Sequence, residues 1–135
     1  MTLGSWNPAD NSETVAYRVD SLLLEQCAAF AEADQWQDLA AWEKQLPTGS
    51  NHIMKLGAHD WQDALAPLDE ATLLHLVRFF TLVEQQLPHW HGGDKSPVIW
   101  ISRLLKKRGT PLSRETVLWI KANTDNRFLP NGPAL

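Results

Sequence analysis

At 135 residues, with 44% hydrophobic side chains that include seven Trp and four Phe, the chain has ample core material and needs no disulfide or metal to hold it together. Its one cysteine, Cys27, excludes an intramolecular disulfide, and the opening "MTLGSWNPADNSET" lacks the basic and apolar regions of a secretory signal. The net charge of −4 conceals an asymmetry: twelve acids oppose three bases up to Glu70, whereas four acids oppose nine bases from Ala71 onward.

A cytoplasmic location is therefore expected, and apolar runs such as "VIWI" at 98–101 are far too short to cross a bilayer. Two arrangements account for the charge asymmetry. Acidic and basic helices lie side by side and screen one another, or the basic half faces an acidic or phosphate-bearing partner.

The first helical pattern runs from Glu13 to Ala33. Val15, Val19, Leu22, Leu23, Cys27 and Phe30 share one face, and Asp10 with Glu13 fits a capping box. Cys27 lies in that stripe and reads as a small buried hydrophobe. A second helix is expected over Trp36–Leu46, opened by Asp34 and stopped before "PTGSN". Its "EADQWQDLAAWEKQLP" resembles the tryptophan-leucine part of a helical-hairpin repeat, but no second copy follows at a fixed period, so a solenoid does not result.

Residues 47–68 read as a long structured connection in which "HIMKLGAHDW" is unassigned and "DWQDALAPL" makes one or two helical turns. The strongest element follows at about 69–87. Asp69 is its N-cap and Pro88 its stop. Apolar side chains from Leu73 to Val83 cover all but a strip near His75, Arg78 and Gln85, so this helix is expected at the centre. Ser96 and Pro97 open a helix to Arg108 with Gly109 as its left-handed stop, and Ser113 opens another through Asn123. The tail "NTDNRFLPNGPAL" has turn composition, with Phe128 and Leu129 as its anchors. These elements predict an all-α, single-domain bundle over residues 1–135, of five to six helices around a central apolar one. Residues 1–12 are expected to be flexible and 124–135 to form an irregular tail.

Several stretches resemble sites. In "HWHGGDKSP", His89 and His91 flank Trp90, and His52, His59 and Asp60 are conceivable further metal ligands. No Cys pair and no His-Glu-x-x-His helix accompanies them, so no metal or cofactor is assigned. The structural alternative makes Trp90 a lid on the helix ends, with the histidines capping carbonyls or facing water. "GGDKSP" has the glycines, Lys95 and helix N-terminus of an anion cradle, but not the order of a nucleotide P-loop, and Asp94 would oppose a phosphate. Arg103, Lys106 and Lys107 share the outward face of their helix and repel unless an acid lies nearby. That helix, the "GTPLS" turn and the helix at 113–123 resemble a helix-turn-helix, although the second helix offers few residues suited to bases or phosphates. In "TDNRFLPNG", Asp125 and Asn126 are expected to cap the preceding helix and Arg127 to pair with an acid of the first half, or else the loop recognises a carboxylate. No catalytic signature is present.

The first expectation is a protein that binds another protein through its C-terminal half, by way of Trp90, His91, Lys95, Arg103, Lys106, Lys107, Arg127 and Phe128. A helix-turn-helix nucleic-acid binder and a histidine-based metal-dependent or small-molecule enzyme are the alternatives.

Overall fold

The structure, a computed structural model, describes residues 19–132. The capping box expected at Asp10 and Glu13, the flexibility expected of residues 1–12 and the last three residues of the tail lie outside that range. Within it the fold is all-α. Six α-helices are present among the described residues, and no strand.

Helix α1 spans Ser21–Ala33. Asp20 is extended at φ −116° and ψ 128°, and its carboxylate accepts the Leu22 N–H at 3.0 Å. That bond caps the helix, so α1 starts at Ser21; the part of the expected helix over residues 13–18 lies outside the described residues. The buried stripe is Leu24, Cys27, Ala28 and Ala31, with Phe30 beside it. Leu22, expected on the inner face, lies roughly 200° round the helix from Leu24 and is 61% exposed. Leu24→Ala is accordingly expected to cost about 2–5 kcal/mol in urea unfolding, and Leu22→Ala less than about 0.5 kcal/mol.

Asp34 does not open a helix. It closes α1 in the left-handed conformation, φ 60° and ψ 35°, and its N–H reaches the carbonyls of Phe30 and Ala31. Asp tolerates this geometry because its short polar side chain bonds locally. Here it accepts from Trp36 Nε1 at 2.7 Å. The expected helix over 36–46 is shorter and broken in two. A 3-10 turn at Trp36–Asp38 leads into α2, Leu39–Glu43.

The connection is structured, as expected. A 3-10 segment covers Ser50–Lys55, and α3 covers Ala58–Leu65. Trp61, fully buried, donates from Nε1 to the Ile53 carbonyl at 3.2 Å and so ties the two pieces together. Helix α4, Glu70–Gln86, is capped by Asp69, which accepts the Thr72 N–H at 2.8 Å. Leu73, Leu76, Val77, Phe79, Phe80 and Val83 on it are completely buried. Helix α5, Pro97–Lys107, begins at Ser96 and ends at Gly109, whose φ of 86° lets the Thr110 N–H reach back to the Leu105 carbonyl at 2.9 Å. Ser113 caps α6, Arg114–Asn123.

Helices α1, α5 and α6 all pack on α4, and α3 packs on α5. The expected central helix is central. Around it an aromatic cluster fills the space between α1, α2 and residues 88–90. Phe30 and Phe79 each contact both Trp36 and Trp42, and Phe79 meets Phe80 edge-on at 5.1 Å and Trp90 at 6.2 Å. Such edge-on pairs add about 0.5–1.5 kcal/mol each beyond their burial. Cys27 sits at 0% exposure against this core, and burial pushes its thiol far up, which leaves it inert.

Candidate functional site

Two of the stretches that resemble sites, 89–97 and 124–132, meet on a residue that carried no motif. Glu84 lies on the buried face of α4, one turn from Phe80, and is 3% exposed. Its Oε1 accepts the Gly92 N–H at 3.0 Å and the Asn126 side-chain amide at 3.3 Å, while Oε2 accepts the Ser96 hydroxyl in a short hydrogen bond. Asn126 also donates to the Gly93 carbonyl at 2.9 Å, and its Oδ1 accepts the Phe128 N–H at 3.0 Å. One internal carboxylate thus joins the central helix, the loop before α5 and the tail after α6.

This arrangement explains the glycines. The Gly92 position is crowded, since a Cβ there would stand 2.8 Å from the Ser96 Cα. Gly93 takes φ 58°. Of the expected anion cradle, the Gly92 N–H and the Ser96 hydroxyl are engaged by Glu84, while the first amide of the helix, that of Val98, is bonded to Ser96.

Burial pushes the Glu84 carboxyl above its ordinary value of 4.5, and the donors Ser96, Gly92 and Asn126, with His91 nearby, offset part of that. The folded chain therefore holds this proton over a range where the unfolded chain has lost it, and the stability Glu84 contributes falls as pH rises above 4.5. Glu84→Gln should abolish this term. The urea midpoint of the parent relative to that variant is expected to decline on raising the pH from 4.5, and a flat difference would contradict the assignment.

A second carboxylate fixes the other half of "HWH". Glu43, at the end of α2, accepts from His89 Nε2 at 2.6 Å and from Trp90 Nε1 at 2.8 Å. Desolvation opposes its ionisation, but the Trp90 and His89 donors outweigh it and hold the carboxyl below the usual range. The His89 carbonyl accepts from Asn51, which brings in the 3-10 segment at Ser50–Lys55. Trp90, expected as a binding residue, is completely buried. That expectation is corrected: an indole whose ring seals the aromatic cluster and whose N–H is bonded to Glu43 has nothing left to offer a partner.

The tail departs from expectation in its partners. Asp125 and Gln85 bond reciprocally, the Asp125 N–H to Gln85 Oε1 at 3.0 Å and Gln85 Nε2 to Asp125 Oδ2 at 2.9 Å. Asp125 and Asn126 therefore tie the tail to α4 and the loop instead of capping α6. Arg127 stacks on the half-buried Phe128 at 5.2 Å and makes no ion pair among the described residues. Leu129 is the buried anchor, at 3% exposure.

No family model, curated protein or solved structure matches this chain.

Among the described residues two ion pairs form, Arg78 with Asp34 at 2.8 Å and His89 with Glu43. Direct ion pairing between the acidic first half and the basic second half is, among the described residues, that of Arg78 with Asp34 and of His89 with Glu43. Arg108 goes elsewhere, donating to the carbonyls of Leu68 and Ala66 at 2.8 Å each. Arg103 lies over Trp100 at 5.3 Å and runs beneath Gly132 of the tail. Lys106 and Lys107 are exposed, as are Lys95 and His91 at the other end of the segment. None of Lys95, Arg103, Lys106 and Lys107 has a carboxylate within ion-pair distance among the described residues.

The histidines do not assemble. His89 is bound to Glu43, His59 lines a groove by α3, and no group of three His, Cys, Asp or Glu side chains among the described residues is placed to hold a metal. The helices α5 and α6 are joined by the expected glycine turn, but each rests on α4 and they make little contact with one another. No helix among the described residues is long and apolar enough to cross a membrane.

Proposed function

We propose that the chain is a cytoplasmic protein-interaction module that presents the outer face of α5 to an acidic segment of another protein. The observation behind this reading is the row Arg103, Lys106 and Lys107, exposed on a helix whose other face, Val98, Ile99, Ile101 and Leu105, is buried, and unneutralised by any acid of the described chain. Arg103 and Lys107 repel at i,i+4 in the isolated protein, and a carboxylate-rich partner relieves that repulsion. A second exposed stripe on α6 supports the same use. Arg114, Leu118 and Lys121 fall at i, i+4 and i+7, and Leu118 is 56% exposed between two cations.

The test compares capture from native extract by the parent and by the double variant Lys106→Glu, Lys107→Glu. An acidic protein retained by the parent should fall by about tenfold or more on the variant and be released by salt. The urea midpoint should meanwhile correspond to a loss of no more than about 1 kcal/mol, the helix-end contribution of two lysines. Equal retention by both chains would remove the proposal.

A further inference from the structure

A second surface of opposite character lies away from the α5 row. Between the start of α1, the 3-10 segment at Ser50–Lys55 and α3 runs an open groove of about 970 Å³. Leu22, Leu23 and Leu56 supply its apolar wall, above the buried Ile53. Leu22, at 61% exposure, projects from α1 with little covering it among the described residues.

The polar rim has one sign. Asp20, Asp60 and Asp63 line the groove among the described residues, with His59 beside them and no Lys or Arg. Lys44 and Lys55 belong to neighbouring segments but are absent from this lining. Asp20 is engaged as the cap of α1, whereas Asp60 and Asp63 have no ion-pair partner among the described residues. Apolar wall and carboxylate rim together suit a segment with leucine-like side chains on one face and Lys or Arg on the other. The chain's own residues 1–18 do not have that charge, since Arg18 stands against Asp10 and Glu13.

We infer that this groove docks a short basic, amphipathic segment of a partner protein, independently of the α5 face. The placement is chemically selective. An acidic segment would meet three carboxylates, and a wholly polar one would leave Leu22 and Leu56 unused.

The test is selection of a random 16-residue peptide library against the full chain, followed by affinity measurements on the enriched peptides. Enrichment of Lys/Arg-rich peptides with apolar residues at helical spacing is expected. Asp60→Asn with Asp63→Asn should weaken them by about tenfold at low salt, and less at high salt. Leu22→Ser should weaken them by a similar factor without altering the circular dichroism. Four outcomes would overturn the inference: no enrichment; enriched peptides that are acidic or uncharged; binding insensitive to all three substitutions; or displacement of the selected peptides by a synthetic peptide of residues 1–18. A chain that sediments as a dimer through this face, and ceases to on Leu22→Ser, would overturn it in favour of a second copy.

Discussion

Glu84→Ala is expected to destabilise the protein by about 3 kcal/mol at neutral pH, seen as a lower urea midpoint at unchanged slope and a melting temperature lower by roughly 10 °C. The substitution leaves the Gly92 N–H, the Ser96 hydroxyl and one Asn126 amide hydrogen without their acceptor, in a region where Glu84 is 3% and Ser96 0% exposed. Each stranded donor costs about 1–3 kcal/mol, offset in part because a charged group no longer has to be desolvated. Glu84→Gln retains one acceptor oxygen and should lose less than half as much. If the alanine variant were as stable as the parent, the carboxylate would not be what holds the loop and tail to α4.

How much of this was legible in the sequence depends on the range of the interaction. The caps at Asp69, Ser96 and Ser113 and the stop at Gly109 were readable because each is decided within a few residues. Leu22, Leu23 and Leu24 show the opposite case. Three consecutive leucines fit almost any helical stripe, and only the position of α4 selects Leu24 for burial and leaves Leu22 exposed. Asp34 was ambiguous for a chemical reason, since the short carboxylate that suits an N-cap also tolerates the left-handed conformation that ends a helix.

The polar centre was the hardest part to read. Glu84 meets Gly92, Ser96 and Asn126 at separations of 8, 12 and 42 residues, and no local pattern encodes the last of these. One signal was present nonetheless. In "LLHLVRFFTLVEQQ", Glu84 shares the stripe of Val77 and Phe80, so an acid sat in a register position that the helix buries. A charge in such a position needs internal donors, and the nearest small, N–H-rich segment is "HGGDKS".

The second large effect is expected at Trp90. Trp90→Ala should cost about 4 kcal/mol, because it removes a completely buried indole from contact with Phe79 and leaves Glu43 with His89 as its remaining partner. Trp90→Phe keeps most of the packing and loses the Nε1 bond, so about 1–2 kcal/mol is expected. Differential scanning calorimetry on the pair separates packing from hydrogen bonding. Partner capture through α5 should survive in the phenylalanine variant, since Trp90 is absent from the surface. A Trp90→Phe chain that is fully stable yet loses its partner would return this residue to the role of interface anchor.

These expectations share one premise: the residues of 89–97 and 124–129 that resemble a site are scaffold, drawn together by Glu84 and Glu43, and the surfaces left for partners lie elsewhere. Residue-resolved amide hydrogen exchange under native conditions tests that premise most directly, through the Gly92 N–H. It lies outside any α-helix but donates to Glu84. The Gly92 amide should exchange with an opening free energy close to that of amides in the middle of α4, and should lose this protection in Glu84→Ala. Exchange of Gly92 in the parent orders of magnitude faster than α4 would show an ordinary mobile loop and contradict the account.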